Sequence, residues 1–216
     1  MDTGVRVLAG ATNGGAGLVV PGDGRLAKPE DFRGMKIATP QLGNTQDVSC
    51  RAWLAAQGFQ VTQTGGDVTV IPTQNPDQLA LFQTGEVDAV WTVEPWVTRL
   101  EKDANARVFL EDKDVITTWL ASSVKFLKEH RDLAKKIAAA NTELTQWIKS
   151  HPGEAQNMLV AELKAETKTD VSADTVSRSL QRIQLTTEIS PALVQKAVQD
   201  GKNTGFFKTT DTSRLI

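Results

Sequence analysis

The residues best suited to chemistry in this chain stand between Lys36 and Asp47. There Lys-Ile-Ala-Thr-Pro-Gln-Leu-Gly-Asn-Thr-Gln-Asp reads as an apolar strand, a glycine turn and the start of a helix. A strand that enters a helix this way aims the helix's first unpaired N–H groups, and the positive end of its dipole, at whatever lies in front. The chemistry that follows is capture of a small anion or polar oxygen. Either Asn44 or Thr45 can cap the helix, since a short side-chain oxygen accepts from one of its first N–H groups. Asp47 adds negative charge where the dipole favours it. The same spacing also fits a plain strand-to-helix turn, and the motif alone leaves both readings open.

Other reactive side chains are few. Cys50 is the single cysteine, so no internal disulfide forms, and its place on an apolar helical face reads as a buried structural thiol. His130 and His151 stand near helix ends among charged neighbours, without carboxylates or cysteines at metal-ligand spacing, so neither a metal nor any other cofactor is expected. The 24 basic and 26 acidic residues nearly cancel and form no long like-charge runs, which argues against nucleic acid or an anionic membrane as partner. Apolar runs stay far below the ~20 residues of a membrane helix. Met1-Asp2-Thr3-Gly4 lacks the basic start and apolar stretch of a secretion signal. At 216 residues the chain can bury a substantial core in one large domain or two lobes.

The elements that hold the anchor follow from the apolar pattern. Val5 to Ala9 and Gly17 to Pro21 are short apolar runs separated by Thr12-Asn-Gly-Gly-Ala, whose glycines permit a sharp turn or close backbone approach. From Lys36 the pattern alternates, with strands over 36–38, 68–71, 89–93 and 107–110 and helices over 45–57, 76–82 and 95–102. Repeated βα units of this length predict a parallel sheet with right-handed crossovers. In the first helix Cys50, Trp53 and Leu54 mark the buried face, Arg51 and Gln57 face water, and Gly58 ends it. Asn75-Pro76 and Ser190-Pro191 each read as a cap followed by proline at the first helical position. After a strand candidate at 117–121 the chain is helical. Leu133, Ile137, Leu144 and Ile148 keep one face apolar, and residues 152–165, 173–183 and 191–201 form three more helices. An α/β lobe over residues 31–114 is thus expected, inserted into a first lobe made of residues 1–30 and 115–216.

Asp31-Phe-Arg-Gly-Met-Lys-Ile-Ala, the Gly43-Asn-Thr turn, Gly85-Glu-Val-Asp-Ala-Val-Trp and Glu94-Pro-Trp, in this order and spacing, resemble the nitrate/sulfonate/taurine-type substrate-binding proteins of ABC importers. No single motif is diagnostic; the specificity lies in the ordered set, which runs from about Val5 to about Phe207. The resemblance implies the type II periplasmic-binding-protein fold, two α/β lobes joined by crossover strands that close on a small ligand. It implies that Gln41, Gly43, Asn44, Thr45 and Gln46 offer donors from the second lobe, and that Asn13, Gly14 and Gly15 come from the hinge or first lobe. Trp91 and Glu94 would line the cleft. From the residues themselves, Trp91 also suits lobe core, Glu94 a cap on the helix that Pro95 starts, and Asn13 a turn position beside two glycines.

Against the family pattern, the chain starts around the strand that leads into the first crossover. The first lobe is therefore expected to be incomplete, and the chain alone to be oligomeric through that lobe or poorly stable. The resulting reading is the solute-binding component of an ABC importer, periplasmic or extracytoplasmic by resemblance. It would bind a small anion of the alkanesulfonate, taurine or nitrate class, work with a membrane permease and catalyse nothing. An enzyme on the same fold, pyrimidine-forming or desulfinating, is one alternative and would need a positioned nucleophile or base. A ligand-sensing regulatory module is the other.

Overall fold

The computed structural model describes residues 4–167, 171–208 and 212. In chain order these form β1 (Val5–Gly14), β2 (Ala16–Pro21), β3 (Lys36–Thr39), α1 (Thr45–Ala56), β4 (Thr69–Pro72), α2 (Asn75–Thr84), β5 (Ala89–Val93), α3 (Trp96–Asp103) and β6 (Ala106–Asp112). There follow β7 (Ile116–Ser123), α4 (Val124–Glu129), α5 (Arg131–Ser150), α6 (Pro152–Thr167), α7 (Ala173–Arg182), β8 (Ile183–Leu185) and α8 (Pro191–Asn203).

Two sheets result, a five-stranded one in the order β4-β3-β5-β2-β6 and a three-stranded one in the order β7-β1-β8. β3 is parallel to β4 and β5, as repeated βα units require. β2, in contrast, is antiparallel to both β5 and β6, so the parallel sheet carries one reversed strand. Ala16–Pro21, grouped with residues 1–30 from the sequence, thus pairs among the strands of the other unit. Its composition explains the position. Leu18, Val19 and Val20 are consecutive and all fully buried, a pattern that only a strand covered on both faces accommodates. On one face Leu18, Ile37 and Trp91 pack with Cys50 and Leu54 of α1; on the other Val19 and Val90 pack with Phe82 of α2 and Leu100 of α3.

The chain passes between sheets at Gly14-Gly15 and again at residues 113–115. Both glycines lie in the left-handed region, with φ of 67° and 68°, and a Cβ on Gly15 would stand 2.7 Å from the Ile183 side chain. Few other residues fit such a passage. Ser190 caps α8 as expected, its hydroxyl accepting from Leu193 N at 3.4 Å. Asn75 does not cap: it is already helical, and its Oδ1 accepts from the Thr92 hydroxyl at 3.2 Å. On α5 the expected apolar face points outward, with Leu133, Ile137 and Leu144 exposed and Ile148 half-buried.

Candidate functional site

At the start of α1 the capping question is resolved in favour of Asn44, whose Oδ1 accepts from Asp47 N at 2.9 Å while its amide donates to Gln46 Oε1 at 3.0 Å. The Asp47 carboxylate, fully buried, then organises the turn. It accepts from Gly43 N at 2.9 Å, from the Thr39 hydroxyl at 2.8 Å and from Arg51 Nε at 3.0 Å. Arg51, expected to face water, is accordingly 2% exposed, because a buried carboxylate requires a charged partner one turn along the helix. Gly43 holds φ at 74° beneath the Phe206 ring, which a Cβ there would meet at 3.2 Å. The N–H groups of Thr45 and Gln46 have no acceptor among the described residues.

Thr45 stands at a cavity of about 250 Å³. Gly43, Asn44, Thr45, Val48 and Ser49 of the α1 end form one wall. Asp114 to Ile116 and Trp119 form a second, and Leu193, Lys196 and Asp200 of α8, with Phe207, a third. The lining is largely apolar. Its single cation, Lys196, is paired with Asp200 at 2.9 Å. Burial works against the Lys196 charge, but Asp200, Asp112 and Asp114 outweigh it and the net shift is upward. Asp112, half-buried beside Ser49, is pushed up, by burial first and then by Asp200 and Asp114, against the opposing pull of Lys196 and Ser49.

Of the ten residues singled out from the sequence, Gly43, Asn44 and Thr45 line this cavity, and Gln46 is tied to Asn44 beside it. Gln41 lies one turn back, exposed, with its carbonyl accepting from Asn44 N. Asn13, Gly14 and Gly15 sit at the crossover, and Gly14 lines a separate pocket beside Arg182. Trp91 is not at the cleft: it is 1% exposed in the core of the five-stranded unit, 6.1 Å from Trp53, and its indole N–H has no partner among the described residues. Alternation along β5 turns Trp91 toward α1 with Ala89. Glu94 is a structural anchor in the structure. Its carboxylate accepts from Thr98 N and Thr98 Oγ1 in α3, and from the Ser179 hydroxyl and Arg182 in α7 at 2.9 Å each.

Trp119, Lys196, Asp114 and Asp200 escaped the sequence reading because they converge from two distant segments. The Lys196/Asp200 spacing of one helical turn was the local signal. Cys50 is fully buried, and burial pushes its thiol up, so it offers no nucleophile.

The architecture is that of the periplasmic-binding-protein fold, and the cavity lies beside the crossover at residues 113–115. The chain belongs to the NMT1-like family, whose model matches residues 8–163. It is 31% identical over 111 residues to the taurine-binding periplasmic protein of Escherichia coli, an alignment spanning 51% of this chain and 32% of that protein. With the nitrate/nitrite binding protein NrtA of Synechococcus elongatus it shares 39% identity over 66 residues, 31% of this chain and 14% of the relative. These alignments span a third or less of either relative's length. Among solved structures, the alkanesulfonate-binding protein SsuA from Xanthomonas axonopodis bound to MOPS superposes with a TM-score of 0.75 at 16% identity, covering 95% of this chain and 71% of that one. At that identity the likeness is one of fold.

Proposed function

We propose that this protein is the solute-binding component of an ABC importer and takes a small organic anion with its head group at the N-terminus of α1. The observation that carries the reading is Thr45, whose N–H has no acceptor among the described residues, in the wall of an apolar cavity of about 250 Å³ at the N-terminus of α1. An unpaired donor at the positive end of a helix suits an oxygen of a sulfonate or nitrate. Walls of Val48, Ile116, Trp119 and Leu193 suit a short hydrocarbon, which favours a sulfonate over nitrate.

Lys196 is already paired, so neutral donors rather than net positive charge hold the head group. Asp114, on the crossover wall, favours a ligand with an ammonium at its other end. Taurine, for which the Escherichia coli relative is named, has both groups. On this reading the protein works outside the cytoplasm, delivers its ligand to a membrane permease and catalyses nothing. Isothermal titration with taurine, butanesulfonate and nitrate tests it: taurine is expected to bind tightest and nitrate weakest. No heat and no thermal shift with any of the three would overturn the assignment.

A further inference from the structure

Two consecutive aromatics that follow α8, Phe206 and Phe207, each lie on a glycine, and the two glycines belong to different elements beside the cavity. Phe206 covers Gly43 at the start of α1, where a Cβ would stand 3.2 Å from its ring, and the Arg51 guanidinium stands 6.0 Å from the centre of the same ring. Phe207 covers Gly201 of α8, where a Cβ would stand 2.4 Å from the ring. Gly201 is buried, and its φ lies outside the left-handed region, so its backbone does not call for glycine. A glycine within a helix costs stability relative to alanine. Room for the Phe207 ring accounts for it. Gly205, at φ 80°, turns the chain after α8, and the N–H groups of Phe206 and Phe207 both donate to Gly201 O, at 2.8 and 3.0 Å. The backbone that carries the rings is thus tied to the end of the same helix.

We infer that Phe207 is a specificity-determining wall, which limits the length of hydrocarbon that the cavity accepts behind an anionic head group; the class of ligand rests on the importer reading. Phe207 lines the cavity with Val48, Ile116, Trp119 and Leu193, yet it is 43% exposed. A ring so exposed changes rotamer freely unless it is held, and a wall that yields sets no limit. Here Gly201 seats the ring itself, and Phe206, docked on Gly43, pins the residue before it. The two seats also fix α8 against the start of α1, so the ring keeps its place relative to Thr45, the head-group donor. Each buried methylene of a ligand strengthens binding about fourfold. A chain that reaches a seated ring gains nothing further, because displacing the ring disturbs its packing.

Isothermal titration of the parent and of Phe207→Ala with n-alkanesulfonates, from ethanesulfonate to octanesulfonate, tests the inference. The gain per methylene should stop at a shorter chain in the parent. Beyond that point, the preference of Phe207→Ala for a chain two carbons longer should exceed the parent's by about tenfold. Phe207→Leu should place the limit between the two, and circular dichroism melts establish that both variants are folded. The seat has a check without ligand: Gly201→Ala should lower the melting temperature of the parent, where its methyl meets the ring, and raise that of Phe207→Ala, where helix propensity alone remains. The n-alkanols from butanol to octanol, titrated by NMR, carry no anion and separate the wall from the importer reading. If no sulfonate binds while the alkanol limit moves in Phe207→Ala, the importer reading falls and the wall stands. Sulfonates that bind with the same limit in parent and variant, a parent without any limit across the series, or Gly201→Ala stabilising both backgrounds would overturn the wall. Failure of both series to bind would overturn the two together.

Discussion

The carboxylates around the cavity differ in what they cost the fold. Asp112 is half-buried beside Asp114 and Asp200, and its pKa is raised, chiefly by burial. The sign follows from linkage: between the ordinary carboxylate pKa and the raised one, the folded state holds a proton that the unfolded state has released, so stability falls as pH rises through that window. Asp112→Asn cannot ionise and should melt at higher temperature than the parent at pH 7. The gap should close as pH drops below about 4, the unperturbed carboxylate value. Parallel melts across pH check it, and a gap that widens in acid would show the charge to be stabilising. Tryptophan emission offers a second residue-level prediction. Trp119 lines the cavity and Trp91 is sealed against Trp53, so a ligand-induced emission change should vanish in Trp119→Phe and persist in Trp91→Phe. Titration of both variants with taurine distinguishes them.

At the scale of elements, α7 braces the two units. Arg182 reaches Glu94 and Glu101 at 2.9 Å and Glu111 at 3.3 Å, while Lys102 of α3 reaches Asp174 at 2.9 Å. Burial opposes the Arg182 charge, but Glu101 and Glu94 together push its pKa up. The Glu94 side chain is 1% exposed, so Arg182→Met leaves a buried carboxylate with only neutral donors. Since Arg182 itself is 23% exposed, the loss should fall at about 2–3 kcal/mol. Adding Glu94→Gln should recover part of it, and urea denaturation of both variants measures the difference. None of this brace could be read from sequence, because its partners lie more than 70 residues apart. What could be read was local: the βα alternation, the Gly43–Asp47 turn and the Ser190 cap depend on neighbours within a few positions. Trp91 and Arg51 went astray for one reason. Strand alternation and the demand of a buried Asp47 decide their surroundings, and both are properties of packing.

For the whole molecule, burial is unevenly divided. Both large apolar clusters, built around Leu18, Ile37, Trp91 and around Val19, Val90, Leu100, belong to the five-stranded unit. The three-stranded unit instead exposes Leu133, Ile137, Leu144 and Met158. Stability tracks buried apolar area, so the two units should not share one unfolding free energy. Far-UV circular dichroism is weighted toward α4–α8, where most helical residues lie. The near-UV signal is weighted toward the ring cluster of Phe32, Trp53, Trp91 and Phe109. In a urea titration the far-UV transition is therefore expected at lower denaturant than the near-UV one, a direct departure from two-state behaviour. The α7 brace couples the units and narrows the interval, so Arg182→Met should widen it by lowering the far-UV midpoint while the near-UV midpoint stays in place. Superimposable transitions in the parent and in Arg182→Met would mean that the units fold as one cooperative body, held by contacts beyond the ion pairs of α7.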